Sequence, residues 1–190
     1  MRDGPDSRRR LLDAAVDEFA RHGFAGARVD RIAAAAQVNK AQMYAWFTSK
    51  DGLFDAVFAR QLDQIIDGVP FTADDLAGYA VALYSSYLTD PDLVRLASWQ
   101  RLERVPAGEL LAGHPGLTRP KFDEIARAQR EGTITAGIAP EDVYALVIAL
   151  AGTWSPISAT YTASRDDQEA DHERRREVLR QVVRRALMDA

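Results

Sequence analysis

The stretch RVDRIAAAAQVNKAQMYAWFTSKDGLF at residues 28–54 constrains the fold more than any other part of this chain. Val29, Ile32, Ala33 and Ala36 recur at the spacing of one helical face. Gln37-Val38-Asn39 breaks that face with a turn, and Val38 is the one apolar residue placed to plug the resulting angle. Asn39 is a natural N-cap, and Gln42 can reach back to the Asn39 backbone N–H to complete a capping box. A very short helix from Lys40 to Phe47 then buries Met43 and Phe47. Its other face shows Lys40, Gln42 and Tyr44, with Lys50 beyond its end. Two such helices meeting at a steep angle make a helix-turn-helix, whose second helix fits the DNA major groove.

Ile32-Ala33-x-x-Ala36-x-Val38-x-Lys40-x-x-Met43-Tyr44-x-x-Phe47-x-Ser49-Lys50-x-x-Leu53 resembles, in register, the TetR family of bacterial transcriptional regulators. The resemblance covers the first third of the chain. It implies an all-α fold of about nine helices: a three-helix head, a connector helix, and a helical-bundle body for ligand binding and dimerisation. Residues 1–48 would be the DNA-binding domain and 49–190 the ligand-binding and dimerisation domain. The chain departs from the family at two caps. Gln37 stands where glycine is usual, so the turn there either avoids positive φ or carries modest strain. Arg28 stands where Thr usually caps the first short helix.

Helical patterning extends through the rest of the sequence. Leu11, Leu12, Ala15, Val16 and Phe19 stripe a first helix from Ser7 to His22, which Gly23 ends. From near Ser49 a long stripe, Leu53, Phe54, Val57, Phe58, Leu62, Ile65 and Ile66, exceeds what the head can cover and reads as the connector. Thr72, with Asp75 three residues on, opens a helix to about Leu88; Asp90-Pro91 opens another to about Arg104. Val105 to Gly116 reads as a loop, Leu117 to Glu131 as a helix. Pro140 to about Tyr161 is apolar nearly all round, with a bend near Gly152 imposed by Pro156. Arg165 to Asp171 is a polar loop. A last helix from Glu173 to Met188 packs Val178, Leu179, Val182, Val183, Ala186 and Leu187 on one side.

Candidate DNA-contact residues divide by chemistry. Arg28, Lys40 and Lys50 suit phosphates, the Tyr44 hydroxyl can donate to one, and the backbone N–H groups at the Asn39 helix start offer an anion site. Gln42 is either the base reader, gripping adenine with its amide, or the capping partner of Asn39. Trp46 is either a wedge on the sugar-phosphate backbone or a packing residue. Ala41 and Ala45 either touch thymine methyls or are plain surface. Arg8, Arg9 and Arg10 reach DNA or form a solvated charge run. The resemblance implies a small-molecule pocket in the body, with Tyr84, Tyr87, Trp99, Phe122 and Trp154 as candidate lining. It also implies a homodimer through the last two helices, with Val143, Val147, Leu150, Val178, Val182 and Val183 at the interface.

Net charge is −4, which by itself argues against a DNA binder. Its distribution decides otherwise. Residues 1–66 sum to +1 and the remainder to −5, and between Phe24 and Lys50 four basic residues face Asp30 alone. With no cysteine, disulfides and thiolate-bound zinc are excluded. His22, His114 and His172 lie far apart without carboxylates at ligand spacing, and the sequence holds no Gly-x-Ser-x-Gly, His-Glu-x-x-His or P-loop. Neither a metal nor a cofactor is expected, nor enzymatic activity. No apolar run spans a membrane and the N-terminus lacks a signal-peptide core, so a cytoplasmic protein is expected. The reading is a DNA-binding repressor of a palindromic operator in double-stranded DNA, released by a small effector. The alternatives are a DNA-binding dimer without effector, and a helical enzyme or interaction module.

Overall fold

Leu11, Leu12, Ala15, Val16 and Phe19 are all buried along α1 (Gly4–Gly26), as their spacing demands of one helical face. The computed structural model describes residues 4–111 and 115–188. Among these it holds nine α-helices and no strand, only an isolated bridge between Ile134 and Met188. Packing divides the chain into two units, residues 1–64 with 92–110 and residues 65–91 with 111–190.

The first unit contains α1, α2 (Val29–Ala36), α3 (Lys40–Phe47), most of α4 (Lys50–Gly68), and a returning segment. Gly23 does not end α1; it kinks it, with φ 71° and ψ 176°. That backbone region is essentially reserved for glycine. A Cβ at Gly23 would also stand 3.0 Å from both the Trp99 ring and the Glu103 carboxylate. Phe19, Phe24, Phe54 and Phe58 form a chain of ring contacts at 5.0–6.3 Å between centroids.

The returning segment is α6 (Asp92–Trp99), which winds directly into one π-helical turn, Gln100–Arg104. It packs on α1. The Trp99 indole N–H donates to the Ala20 carbonyl at 3.3 Å, and Glu103 accepts the Ala25 N–H at 2.7 Å. Arg104 lies over the Phe24 and Phe54 rings and pairs with Asp55 at 2.5 Å. These residues thus hold the α1–α2 corner and the first turns of α4 in one frame.

In the second unit, α5 (Leu76–Thr89) packs on α8 (Pro140–Ala151) and α9 (Glu169–Leu187), and α7 (Pro115–Arg130) packs on α8. Leu76, Leu83, Ile125, Ile134, Val143, Val147, Val183 and Leu187 fill the space between them.

Three boundaries differ from the sequence reading. Thr72 caps only a short 3-10 turn, Ala73–Asp75, and Asp75 becomes the N-cap of α5 by accepting the Gly78 N–H at 2.9 Å. Helix α8 stops at Ala151 rather than bending on towards Tyr161. Turns through Gly152, Ser155 and Ser158 follow it, where Pro156 supplies no N–H to continue the ladder. Helix α9 begins at Glu169, four positions ahead of Glu173, and Glu169 and Asp171 sit in its first turn where the helix dipole favours negative charge. No described helix is long and apolar enough to cross a membrane.

Candidate nucleic-acid interface

Ile32, Ala33 and Ala36 anchor α2, and Met43 and Phe47 anchor α3; all five are buried. Val29 is only half-buried. Between the helices Gln37 does adopt the left-handed conformation, φ 55° and ψ 43°. Its N–H reaches the Ala34 carbonyl at 3.1 Å, and the Val38 N–H reaches Ala33 at 2.9 Å. This is the bond pair of a Schellman motif, and buried Val38 is its apolar plug. The pattern tolerates a non-glycine residue at modest strain because two carbonyls at the helix end are satisfied in return.

Asn39 caps α3 with its side-chain oxygen on the Gln42 N–H at 2.7 Å. The reciprocal half of a capping box is not made: the Gln42 amide, half-buried, has no hydrogen bond among the described residues. Ala41, Tyr44 and Ala45 are exposed beside it, Tyr44 at 45%, and Trp46 is half-buried. Lys40 is exposed and ion-paired with Asp30 at the start of α2. An exposed pair of this kind contributes little and yields readily to a phosphate.

Lys50 is placed differently from a free phosphate ligand. Its ammonium donates to the Ala25 carbonyl at 3.3 Å and lies 4.9 Å from the Phe24 ring centroid, tying the first turn of α4 to the α1–α2 corner. The N-terminal arginines brace the unit as well. Arg10 donates to the Ala36 carbonyl at 3.2 Å and pairs with Asp6, Arg9 also pairs with Asp6, and Arg8 covers the Phe47 ring. Arg28 is exposed, and its guanidinium has no ion pair among the described residues.

The missing Thr cap at Arg28 is replaced from another helix. Glu18, buried on α1, accepts the Arg28 N–H at 2.8 Å and binds the Arg31 guanidinium. Burial alone would raise the Glu18 pKa, but the Arg31 hydrogen bonds and the Arg28 N–H outweigh it and hold the carboxyl below its ordinary value. A carboxyl depressed in this way stabilises the fold fully above its unfolded value of 4.5, and that contribution is lost as the pH falls below it. Thermal melts should therefore show a head that loses stability on acidification below this point. Glu18→Gln should flatten that dependence and cost about 1–2 kcal/mol at neutral pH, since a charge-assisted bond becomes a neutral one. An unchanged acid limb would show that another carboxylate is responsible.

Sequence reading missed two further parts of this site. Thr48 closes α3 at φ 62° and ψ −42°, so that the Ser49 N–H meets the Phe47 carbonyl at 2.6 Å. Ser49 then accepts the Gly52 N–H at 3.0 Å. Gly52 is obligatory there, because a Cβ would stand 2.3 Å from the Phe47 carbonyl oxygen. The Ser-Lys-Asp-Gly order carried a signal for this cap. Nothing in the sequence linked Glu103 or Arg104 to the head across so many residues.

Residues assigned to the body fall in several places. Tyr84 is buried, its hydroxyl 2.7 Å from His172 Nδ1 and its ring edge-on to Trp154. Tyr87 is half-buried, and Phe122 meets the Tyr144 ring edge at 5.8 Å. Trp99 leaves the list of pocket residues, because it belongs to the first unit and packs there against Gly23 and Ala20. Val143, Val147 and Val183 leave the list of interface residues, since each is fully buried in the core of its own unit and has no surface to offer. Val178 and Val182 are exposed at 41% and 40%, Ala186 is exposed with them, and Leu150 is half-buried. His114 lies outside the described residues. Among those described, no group of three or more His, Cys, Asp or Glu is arranged to hold a metal.

Comparison with known proteins gives a consistent result. Residues 11–57 match the model for bacterial regulatory proteins of the tetR family, and residues 75–185 match the tetracyclin repressor-like C-terminal domain. The chain is 34% identical over 160 residues to the HTH-type transcriptional repressor SCO4008 of Streptomyces coelicolor, covering 82% of this chain and 81% of that one. It is 32% identical over 107 residues to the HTH-type transcriptional regulator RutR of Escherichia coli, covering 56% of this chain and 49% of RutR. Among solved structures, SCO4942 of Streptomyces coelicolor superposes with a TM-score of 0.77 at 35% identity, covering 95% of this chain and 98% of that one.

Proposed function

The chain belongs to the TetR family of bacterial transcriptional regulators, and from that premise we propose that it is a homodimeric repressor whose hold on a palindromic operator is released by a small-molecule effector. One observation carries the reading of the head: α3 presents the Gln42 amide, the Tyr44 ring and the bare Ala41 and Ala45 positions outward, while Met43 and Phe47 fix it from beneath. Gln42 reads base edges, Lys40, Arg28 and Tyr44 hold phosphates, and the N–H groups at the Asn39 cap add an anion site. Trp46 flanks them. Lys50 acts by holding the corner that positions them. In this division residues 1–48 read DNA, residues 49–64 and 92–110 brace them within the first unit, and the second unit binds effector and partner.

The name of the Streptomyces coelicolor relative, a repressor, supports repression over activation. Two heads must stand about one DNA turn apart, roughly 34–36 Å, to enter successive major grooves. An effector that prefers a different head spacing lowers operator affinity by its differential affinity for the two states. Selection of bound sequences from a random duplex pool, run in parallel with wild type and Gln42→Ala, tests the proposal. Wild type should return a palindrome. Gln42→Ala should lose preference at one base per half-site, about 1–3 kcal/mol. No enrichment by wild type would overturn DNA reading. Uniform weakening in the variant would reduce Gln42 to a structural role.

A further inference from the structure

Lys121 is a charged group set among aromatic rings of the second unit. Its ammonium donates to the Tyr144 hydroxyl at 3.1 Å and lies 5.1 Å from the Tyr144 ring centroid and 5.9 Å from that of Phe71. Phe71 meets Tyr79 and Tyr144 edge-on at 5.0 and 6.0 Å, and Phe122 meets Tyr144 at 5.8 Å. Tyr79 and Tyr87, from α5, both face Tyr144, and burial first and that neighbour second push their pKa values up, so these phenols stay neutral.

The valences of the cluster do not close. An ammonium has three donors and no acceptor. Lys121 is half-buried, one of its donors meets Tyr144, and no carboxylate pairs with it among the described residues. Ring faces attract a cation but satisfy no hydrogen bond. The Tyr144 hydroxyl, accepting from Lys121, also shares a hydrogen bond with Tyr79, so the spare donors of the cluster are those of the ammonium. The cluster therefore offers ammonium donors and positive charge beside aromatic rings.

We propose that the Lys121 ammonium binds the carboxylate of an aromatic or strongly apolar organic acid, whose body packs against the half-buried Phe71, Phe122 and Tyr87. This rests on the reading of the second unit as the effector-binding part, and names the class of effector. A carboxylate gives the free ammonium hydrogens a charge-assisted partner, and an aromatic body meets these rings edge-to-face as they already meet one another. A cationic ligand is disfavoured because the resident ammonium repels it.

Calorimetric titration of the full-length protein with three probes sharing one ring system tests this: 2-naphthoate, 2-naphthamide and 2-naphthylmethylammonium. The acid should bind at least about tenfold tighter than the amide, the amine weakest. Lys121→Met should erase that preference, bringing the acid down to the level of the amide or below, Lys121→Arg should keep it within a few-fold, and a thermal melt of each variant checks its fold. Absence of naphthoate binding to wild type, equal binding to Lys121→Met, or tightest binding of the amine would overturn the proposal. Operator retardation with and without naphthoate is read separately. Binding that leaves the operator complex intact removes the effector role from the second unit without touching the site, whereas loss of binding removes the site and leaves operator recognition standing.

Discussion

A chain carrying Val178→Asp and Val182→Asp is expected to scatter light as a monomer and to lose operator retention by about 100-fold or more, because the second head no longer binds at the effective concentration of a tethered partner. Both valines lie exposed along α9, while Leu179, Val183 and Leu187 on the adjoining face are buried. Leu146, on neighbouring α8, is 45% exposed. Clustered exposed apolar groups mark surfaces that another molecule covers. A self-complementary contact about a two-fold axis is the commonest way to cover them. Each Asp would stand on the surface of the free chain, where substitutions rarely exceed 0.5 kcal/mol in either direction, so the fold should survive and its melting temperature barely move. Charge buried at a dimer contact without a partner is costly. Persistence of the dimer, with the operator still retained, would put the contact elsewhere.

How much of this was legible in the sequence depends on the range over which each signal acts. The turn at Gln37–Asn39, the Asn39 cap and the anchors Val38, Met43 and Phe47 follow from local periodicity and cap chemistry, and they stand where the residues indicated. Gln37 shows the limit of a residue preference: left-handed geometry was needed there whichever side chain occupied it, because Val38 must fold back onto the Ala33 carbonyl. The stripe on α9 shows a different limit. Periodicity put Val178, Leu179, Val182 and Val183 on one broad side, and only packing against α5 and α8 separates the buried pair from the exposed pair.

Long-range partners were not legible. Glu18 serves as the missing cap of α2 from ten residues upstream, and Glu103 accepts the Ala25 N–H across 78 positions. No pattern within either segment demands the other. Trp99 reads as a candidate for a ligand pocket because a large amphipathic ring suits one. In the fold its N–H and its bulk are matched instead to a kink that only Gly23 can make. The apolar rhythm of Trp154 and Ile157 continues that of α8, whereas Gly152 and Pro156 decide the backbone and the helix ends at Ala151.

Phe54→Ala should be the most damaging single truncation in the first unit, costing about 3–5 kcal/mol of stability. Phe54 is fully buried, and its ring touches those of Phe19, Phe24 and Phe58 and lies beneath the Arg104 guanidinium. Three separate stretches of chain therefore close on one side chain: α1 through Phe19, the α1–α2 corner through Phe24, and the returning segment through Arg104. Removing the ring opens a cavity that these neighbours cannot fill without moving helix axes, and it strips Arg104 of one aromatic face while leaving its ion pairs at the surface. Against a total of about 5–15 kcal/mol for a typical domain, such a loss leaves little margin. Phe54→Leu keeps most of the volume and should cost about 1.5 kcal/mol or less. Urea titration followed by near-ultraviolet circular dichroism reads both, and operator affinity at each denaturant concentration should track the folded fraction of the head. A Phe54→Ala protein that melts within a few degrees of wild type would mean that this aromatic cluster does not organise the unit.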